Sequence, residues 1–532
     1  MGGGTKMATR ALLVVPEFNR HSFWSYEGVR DELGVRYAAS PLGIITLAAL
    51  LPASWELKLI NRNTEELTEA DLAWADLLMT GGMLSQQFDM LELIELSRKR
   101  GLPVAVGGPD PTSSPEIYAR ADFIVSGEAE GILDRFVEAF ESGARQGRFE
   151  AERFKADVTR SPIPRFDLLK LDQYLYVGMQ FSRGCPFTCE FCDIIELYGR
   201  NPRTKTPEQM LAELDCLYDL GYRGHVDFVD DNLIGNKKAV KAFLPHLIAW
   251  QKRRSYPFML TTEASLNIAD DPALMAMMRD ANFIGFFCGI ESPDPETLRQ
   301  TSKKQNLKHD IATSIHRIYE HGMFVIPGFV IGFDAESEGV TEGLIQCLEE
   351  ADLPVGMLSL LYALPGTQLT RRLEKEGRLH AGVGQDRDRK QGDFSLAGLN
   401  FVTKRPRDRI LRDFVAVLEH MYEPKGYFAR MRRAIIPMQR VRLPLWILLR
   451  DSWREIDRFR RLMTSITLHR PEIRWKAWAA VMECLIRNPR AVRNVVSMVV
   501  FFYFAQPLSR IWIREALRRA HAEATPELVA VG

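Results

Sequence analysis

Between residues 10 and 380, short apolar runs recur between amphipathic stretches, and this alternation restricts the fold more than any other feature of the sequence. "RALLVVPEF" is followed by the helical "PLGIITLAALLP", then by "WELKLIN", "ADLLMTGGM", the helix "QFDMLELIELSRKRG", "LPVAVGGP" and "ADFIVSGEAEGILDRFVEAF". Apolar strands separated by amphipathic helices bury both faces of a parallel sheet. Residues 1–150 are therefore expected to form an α/β, doubly wound, Rossmann-like domain. Gly81, Gly82, Gly107, Gly108 and Gly127 fall at the carboxyl ends of its strands. Open α/β sheets bind ligands at that edge, and missing side chains let a large group approach. For any one pair, plain turn glycines are the better explanation; several pairs recurring at one edge are harder to explain that way. The chain has no GxGxxG, so a dinucleotide site of the usual kind is not supported.

Residues 151–175, with "TRSPIPRFDLLKLDQY", read as a proline-bearing linker. From 176 to 385 the alternation resumes with "YVGMQFS", "HVDFVDD", "FMLTTEAS", "IGFFCGIES", "FVIPGFVIGF" and "GMLSLLYAL". Six strands with crossover helices fit a partial (β/α)6, TIM-like barrel, in which chemistry gathers at the carboxyl ends of the strands. The polar residues expected there are Asp230, Asp231, Asn232, Glu263, Ser265, Glu291 and Ser292. Residues 386–532 read as a helical, basic C-terminal domain. Its longest apolar run, Val495 to Ala505, is too short to span a bilayer.

Charge separates the parts. Residues 430–519 carry 20 Arg and Lys against 6 Asp and Glu, in a chain that is neutral overall, and five of the nine tryptophans: Trp446, Trp453, Trp475, Trp478 and Trp512. Arg and Trp on amphipathic helices suit a bilayer interface. A basic face packed on the acidic body and helices with tryptophans turned inward are the competing reading. A Gly-rich start followed by an apolar run too short for a secretory signal points to a cytoplasmic protein, peripheral at the inner membrane face. Seven cysteines, an odd number, argue against a disulfide framework.

Three of the seven, Cys185, Cys189 and Cys192, form C-x3-C-x2-C after the first barrel strand. A loop this tight can wrap its thiolates around one corner of a cubane iron–sulfur cluster, whereas a closed zinc site needs a fourth ligand, which would have to be an unidentified histidine. Cys216, Cys288, Cys347 and Cys484 read as buried small hydrophobes. A [4Fe-4S] cluster held by three thiolates keeps one iron open for another ligand.

This constellation resembles the radical S-adenosylmethionine enzymes. The resemblance implies that the open iron is chelated by S-adenosylmethionine, whose cleavage yields a 5′-deoxyadenosyl radical. Phe191 matches the aromatic residue before the family's third cysteine, and "VDFVDDNLIGN" stands where the family carries a Gly-Gly-Glu segment, with Asp230 and Asp231 in its place. Glu263, Ser265 and Glu291 are similar to the family's polar contacts to ribose and methionine, and Gly328 and Gly332 in "GFVIGFD" to the strand against adenine. With a doubly wound sheet in front, the chain resembles the cobalamin-dependent members of class B methylase type, and "RGCPFTCEFCDIIELYGRNPRTKTPEQ" resembles the branch of hopanoid C-2 methylases. By that resemblance Gly81, Gly82, Met83, Gly107, Gly108, Pro109, Gly127 and Glu128 flank cobalamin. The histidine-bearing segment that ligates cobalt elsewhere is missing, since His21 sits in "NRHSFW". A methylthiotransferase is excluded by the lack of cysteine in residues 1–184.

The activity implied is methylation of an unactivated carbon, of a small molecule or a lipid such as a hopanoid, through methylcobalamin. The implied partners include a reductant such as flavodoxin or ferredoxin, and no nucleic acid. Two rivals share the motifs. A cobalamin-dependent oxidative cyclase acting on a porphyrin-like substrate would form no S-adenosylhomocysteine, and a redox or ligand sensor would bind the cofactors without turnover.

Overall fold

The computed structural model describes residues 8–380 except Arg20, Trp24 and Tyr26, then 394–439, Val441 and 452–524. Its strands, in chain order, are β1 (Arg10–Val15), β2 (Tyr37–Ala39), β3 (Glu56–Asn61), β4 (Leu77–Gly81), β5 (Val104–Gly107), β6 (Phe123–Ser126), β7 (Gly147–Glu150) and β8 (Tyr174–Met179). They continue with β9 (Ser182–Arg183), β10 (Arg203–Thr204), β11 (Gly224–Phe228), β12 (Phe258–Glu263), β13 (Phe283–Glu291), β14 (Phe324–Ile331) and β15 (Met357–Leu360).

The first sheet is parallel with order β3-β1-β4-β5-β6-β7. Successive residues of β1 feed opposite cores: Ala11 and Leu13 pack with Trp55 and Phe136 on one face, and Leu12 and Val14 with Ile94 and Tyr118 on the other. A strand buried on both faces cannot alternate in polarity, which is why "RALLVV" reads as continuous apolar sequence.

The second sheet is also parallel, β15-β14-β13-β12-β11-β8-β2, and its six barrel strands follow chain order as a partial barrel. Its seventh strand comes from the N-terminal part: Tyr37 pairs with Tyr174 and Ala39 with Tyr176. A boundary at residue 150 therefore omits one piece, since three residues are too few to carry a strand signal before their partner is known. The linker is packed rather than loose, with Phe166 fully buried in the barrel core.

The barrel and the C-terminal helices share one continuous core. Tyr427 is fully buried, its ring 4.6 Å from that of Phe502, and its hydroxyl donates to the Met498 carbonyl at 2.7 Å. The span Pro489–Glu523, which takes in most of helix Val492–Ala524, is long and apolar enough, by length and composition, to cross a membrane. The surrounding residues thus extend the short run counted from sequence. One face of the helix packs inside the protein, with Val495, Met498, Val499, Phe502 and Trp512 buried. The N-terminal segment closes over this layer: the Trp512 indole donates to the His21 carbonyl at 3.0 Å, and Tyr503 donates to Glu32 at 2.9 Å.

Candidate functional site

The cysteine loop leaves β8 and is fixed at several points before it reaches its thiols. Gly184 has φ +98°, and a Cβ there would lie 2.8 Å from the Gly199 carbonyl, so only glycine lets the loop pass under that strand of backbone. Its N–H donates to Asp231 at 2.8 Å, and the Cys185 N–H donates to the Gly199 carbonyl at 3.2 Å. Between the second and third cysteines, Glu190 takes a two-pronged contact from Arg372 at 2.8 and 3.2 Å. Phe191 is half-buried, its ring 5.7 Å from that of Phe333.

Cys189 is buried, and Cys185 and Cys192 are half-buried. Burial pushes the Cys185 and Cys192 thiols up, with Asp193 adding to it at Cys192 and Cys189 adding to it at both. Among the described residues, no three ligating side chains crowd closely enough to grip a single ion. By the chemistry of the donor set, three thiols leave a structural zinc one ligand short, whereas a [4Fe-4S] cluster held by three thiolates keeps one iron open. The Asn232 amide lies 4.0 Å from the Cys185 sulfur, and the Gln305 amide donates to the Cys189 sulfur at 3.6 Å.

The carboxylates expected at the strand ends divide by what they already hold. Asp230 accepts from the Phe181 N–H at 3.0 Å and from the N–H and hydroxyl of Ser182, so both oxygens serve the cysteine loop. Burial nevertheless lifts it to about 6. Asp231 is lifted to about 7 by burial, with Asp230 and Asp193 adding to it. Glu263 stands apart: its Oε2 is buried with no hydrogen-bond partner, and burial, then Asp227, Asp230 and Asp231, push its carboxyl well above the usual range. Ser265 donates to Asn267 at 2.7 Å and accepts from Asn232 at 3.1 Å, which links Glu263's strand end to Cys185. Glu291 sits at φ +65° where the β13–β14 register shifts, and it accepts from buried Lys303 at 2.7 Å. A non-glycine residue held there is stored strain of the kind found at functional sites.

Two glycines expected beside adenine are used by the protein itself. A Cβ on Gly328 would lie 2.6 Å from the Phe287 ring, and one on Gly332 2.6 Å from Leu399; the Gly332 N–H donates to Glu336 at 2.8 Å.

At the edge of the first sheet, a Cβ on Gly81 would lie 2.7 Å from the Gly107 carbonyl, one on Gly82 2.6 Å from Gln86, and one on Gly107 3.0 Å from the Val125 carbonyl. Gly108, at φ +94°, stands against the Gly82 backbone, and Gly127, at φ +90°, against Ala151. Close packing of strand ends thus already requires these glycines. Met83 is half exposed at this edge, and Pro109 opens the short helix Pro109–Ser113. Glu128 turns the other way, accepting from Arg183 at 3.1 Å and from Arg203 at 2.8 Å. Its neighbour Glu130 meets Arg183 at 2.7 and 2.9 Å. Arg183 lies two residues before Cys185, so Glu128 and Glu130 clamp the cysteine loop to the first sheet.

Sequence reasoning missed the loop's supports. Gln305, Lys303 and Arg372 are far from the cysteines in the chain and carry no local signature; Asn232, next to the Asp pair, was expected at the strand end, but not its contact with Cys185. It also missed a chain inside the barrel, where His225 Nε2 lies 2.6 Å from the Thr261 hydroxyl and that hydroxyl donates to Asp227. The threonine proton is spent on Asp227, so His225 is the donor to Thr261. Burial holds His225 down at about 4 and lifts Asp227 to about 6.

The chain is similar to known proteins over most of its length. The Radical SAM superfamily profile matches residues 179–348, and a profile described as a domain of unknown function (DUF4070) matches 367–515. An uncharacterized methyltransferase of Synechocystis sp. is 44% identical over 81% of this chain and 79% of its own length. The hopanoid C-2 methylase of Rhodopseudomonas palustris is 35% identical over 97% of this chain and 95% of its own. Anaerobic magnesium-protoporphyrin IX monomethyl ester cyclases are more distant, the Synechocystis enzyme being 24% identical over 55% of this chain. Among solved structures, the radical S-adenosylmethionine methyltransferase TsrM of Kitasatospora setae shares the fold, with a TM-score of 0.60, 14% identity and coverage of 86% of this chain and 99% of that one.

Proposed function

The chain belongs to the family of the hopanoid C-2 methylase and carries a radical S-adenosylmethionine domain, and from that premise we propose that it is a cobalamin-dependent enzyme that methylates an unactivated carbon of a hopanoid-like lipid. The observation that carries the site assignment is Glu263, whose buried Oε2 has no protein partner, two residues before Ser265, which accepts from the same Asn232 amide that lies 4.0 Å from the Cys185 sulfur. A buried carboxylate oxygen left unpaired costs stability and is retained where a ligand will satisfy it.

Cys185, Cys189 and Cys192 would hold the cluster; Glu263 and Asp231 would face the polar groups of S-adenosylmethionine; the glycine edge from Gly81 to Gly127 would receive cobalamin. When bound, the cluster and S-adenosylmethionine supply the radical that removes hydrogen from carbon, and cobalamin supplies the methyl group. The protein's own part is positional. Arg372 and Thr301 fix Glu190, whose N–H donates to the Thr301 carbonyl at 3.1 Å, while Lys303 and Glu291 neutralise each other beside Cys189. The first sheet offers no histidine to cobalt among the described residues, since His21 belongs to the segment docked on Trp512.

The electron is proposed to come from a flavodoxin- or ferredoxin-type reductant, and the enzyme to sit on the inner membrane face. Trp475 and Ile486 on helix Arg474–Arg487 are 73% and 80% exposed, with Met482 between them on the same face. Of the other C-terminal tryptophans, Trp512 is buried and Trp478 half-buried; Trp446 and the side chain of Trp453 lie outside the described residues. Reconstituted protein given the lipid should form 5′-deoxyadenosine and S-adenosylhomocysteine in step with methylated product. Deoxyadenosine without S-adenosylhomocysteine would replace this reading with the cyclase. Replacing Trp475, Met482 and Ile486 together by Ser should abolish flotation with anionic vesicles. Truncation near Tyr427 is a poor test, because it would strip the cover from a fully buried ring.

A further inference from the structure

The barrel strands show an inverted pattern of exposure. Along β11 and β12, the residues under the helices, Val226, Phe228 and Leu260, are fully buried, whereas the inward-facing His225, Asp227, Met259, Thr261 and Glu263 are only half-buried. In a barrel filled by its own side chains the inward set would be the more sealed one. Here it lines a cavity of about 960 Å³. That is the upper end of the range for ligand pockets, about 300–1,000 Å³. The wall opposite the strands comes from the C-terminal layer: Val481 and Leu485 on one helix, Val496, Val500 and Phe501 on the next.

We propose that this cavity is the chamber for an elongated, apolar lipid substrate, which enters at the amino-terminal mouth of the barrel between the C-terminal helices. The proposal rests on the methylase reading and adds where the substrate lies and how it arrives.

Three observations point the same way. First, the cavity joins the outside to the reacting end. Its outer rim includes Leu220 and Arg223, in the turn before β11, and its inner end is Glu263, the last residue of β12. From Met259 to Glu263 is four residue steps, about 13 Å of strand. Second, much of the wall is hydrocarbon: Phe287, Ile326, Val496, Val500 and Phe501 gain from covering an apolar molecule and offer nothing to a hydrated one. The chain from His225 through Thr261 to Asp227 is a polar station suited to a single hydroxyl group. Third, the mouth is apolar outside as well as inside. Ile456 and Leu485 line the cavity yet are 52% and 45% exposed. At 100° per residue, Leu485 lies around its helix between buried Val481 and the exposed stripe of Trp475, Met482 and Ile486. The lining is thus continuous with the surface assigned to the bilayer; of its arginines, Arg461 is paired with Asp457 at 2.6 Å and Arg458 donates to the Leu33 carbonyl at 3.1 Å, while Arg493 adds positive charge that suits anionic headgroups. A lipid following that stripe reaches Glu263 without crossing water.

The test uses the full-length apoprotein and a fluorescent sterol, dehydroergosterol, as probe. Wild type should bind it saturably. Val496→Trp and Val500→Trp should each weaken binding at least tenfold, while Leu468→Trp, at a surface position outside the cavity, should leave it unchanged. A Val500→Cys variant should react with a maleimide, and the sterol should slow that reaction, a readout that does not depend on the bulky variants folding. Undiminished binding in both Trp variants, or labelling of Val500→Cys indifferent to sterol, overturns the chamber. The methylase reading fails separately: protein that binds the sterol but forms neither 5′-deoxyadenosine nor S-adenosylhomocysteine refutes the chemistry alone, and protein that forms both without binding the sterol refutes the chamber alone.

Discussion

Changing Glu130 to Gln should loosen the cysteine loop by an amount that follows from its environment. Burial by itself would raise this carboxyl, but the two-pronged contact with Arg183, whose side chain is 12% exposed against 6% for Glu130, outweighs it and holds the group at about 2 rather than 4.5. The difference corresponds to about 3 kcal/mol of stability at neutral pH. Breaking a buried pair from one side costs about 3–5 kcal/mol, and Glu128 remains to Arg183, so the lower figure is expected. Because the folded-state value is depressed, the contribution is complete above the unfolded value near 4.5 and is lost as pH falls toward 2. Urea unfolding of apoprotein should therefore separate Glu130→Gln from wild type by about 3 kcal/mol at pH 7, with the gap narrowing between pH 4.5 and 2. Reconstituted variant should also hold less iron, since Arg183 leads directly into Cys185. A gap below about 0.5 kcal/mol at pH 7, the size of an ordinary surface pair, would refute the clamp, as would a gap that stays constant on acidification.

Replacing Cys185, Cys189 or Cys192 by Ala should remove the iron–sulfur absorbance and deoxyadenosine formation. The same change at Cys216, Cys288, Cys347 or Cys484 should keep both, since the last three are buried and the Cys484 thiol already donates to the Asn488 carbonyl at 3.2 Å. The Glu263 carboxyl titrates well above its unfolded value, so it lowers the apoprotein's stability as pH rises from that value toward the folded one. Glu263→Gln should accordingly stabilise apoprotein against urea at pH 8 while weakening S-adenosylmethionine binding, measured by calorimetry, roughly tenfold. Lys303→Met should leave Glu291 buried without its partner and destabilise the protein by about 3–5 kcal/mol, and Glu291→Gln in the same chain should restore most of that loss.

The sequence by itself determined the parts whose signals are local. Six barrel strands, the doubly wound sheet and the cysteine loop each follow from contiguous residues: runs buried on both faces must be apolar throughout, and three thiols within eight residues must share a loop. What each polar group does there was decided by tertiary structure, because it depends on which oxygens the fold has already used. Asp230 and Glu263 look alike in the sequence, yet Asp230 is spent on Phe181 and Ser182 while Glu263 keeps an unpaired oxygen. Glu128, expected at the cofactor edge, turns to Arg183 and Arg203 because those side chains arrive from the barrel. The three residues of β2 became a barrel strand only once Tyr174 and Tyr176 lay beside them. The cavity inside the barrel is likewise a tertiary fact: its strands look like any buried strands, and only the packing of Val496 and Val500 from a helix far along the chain shows that their inner face was left open.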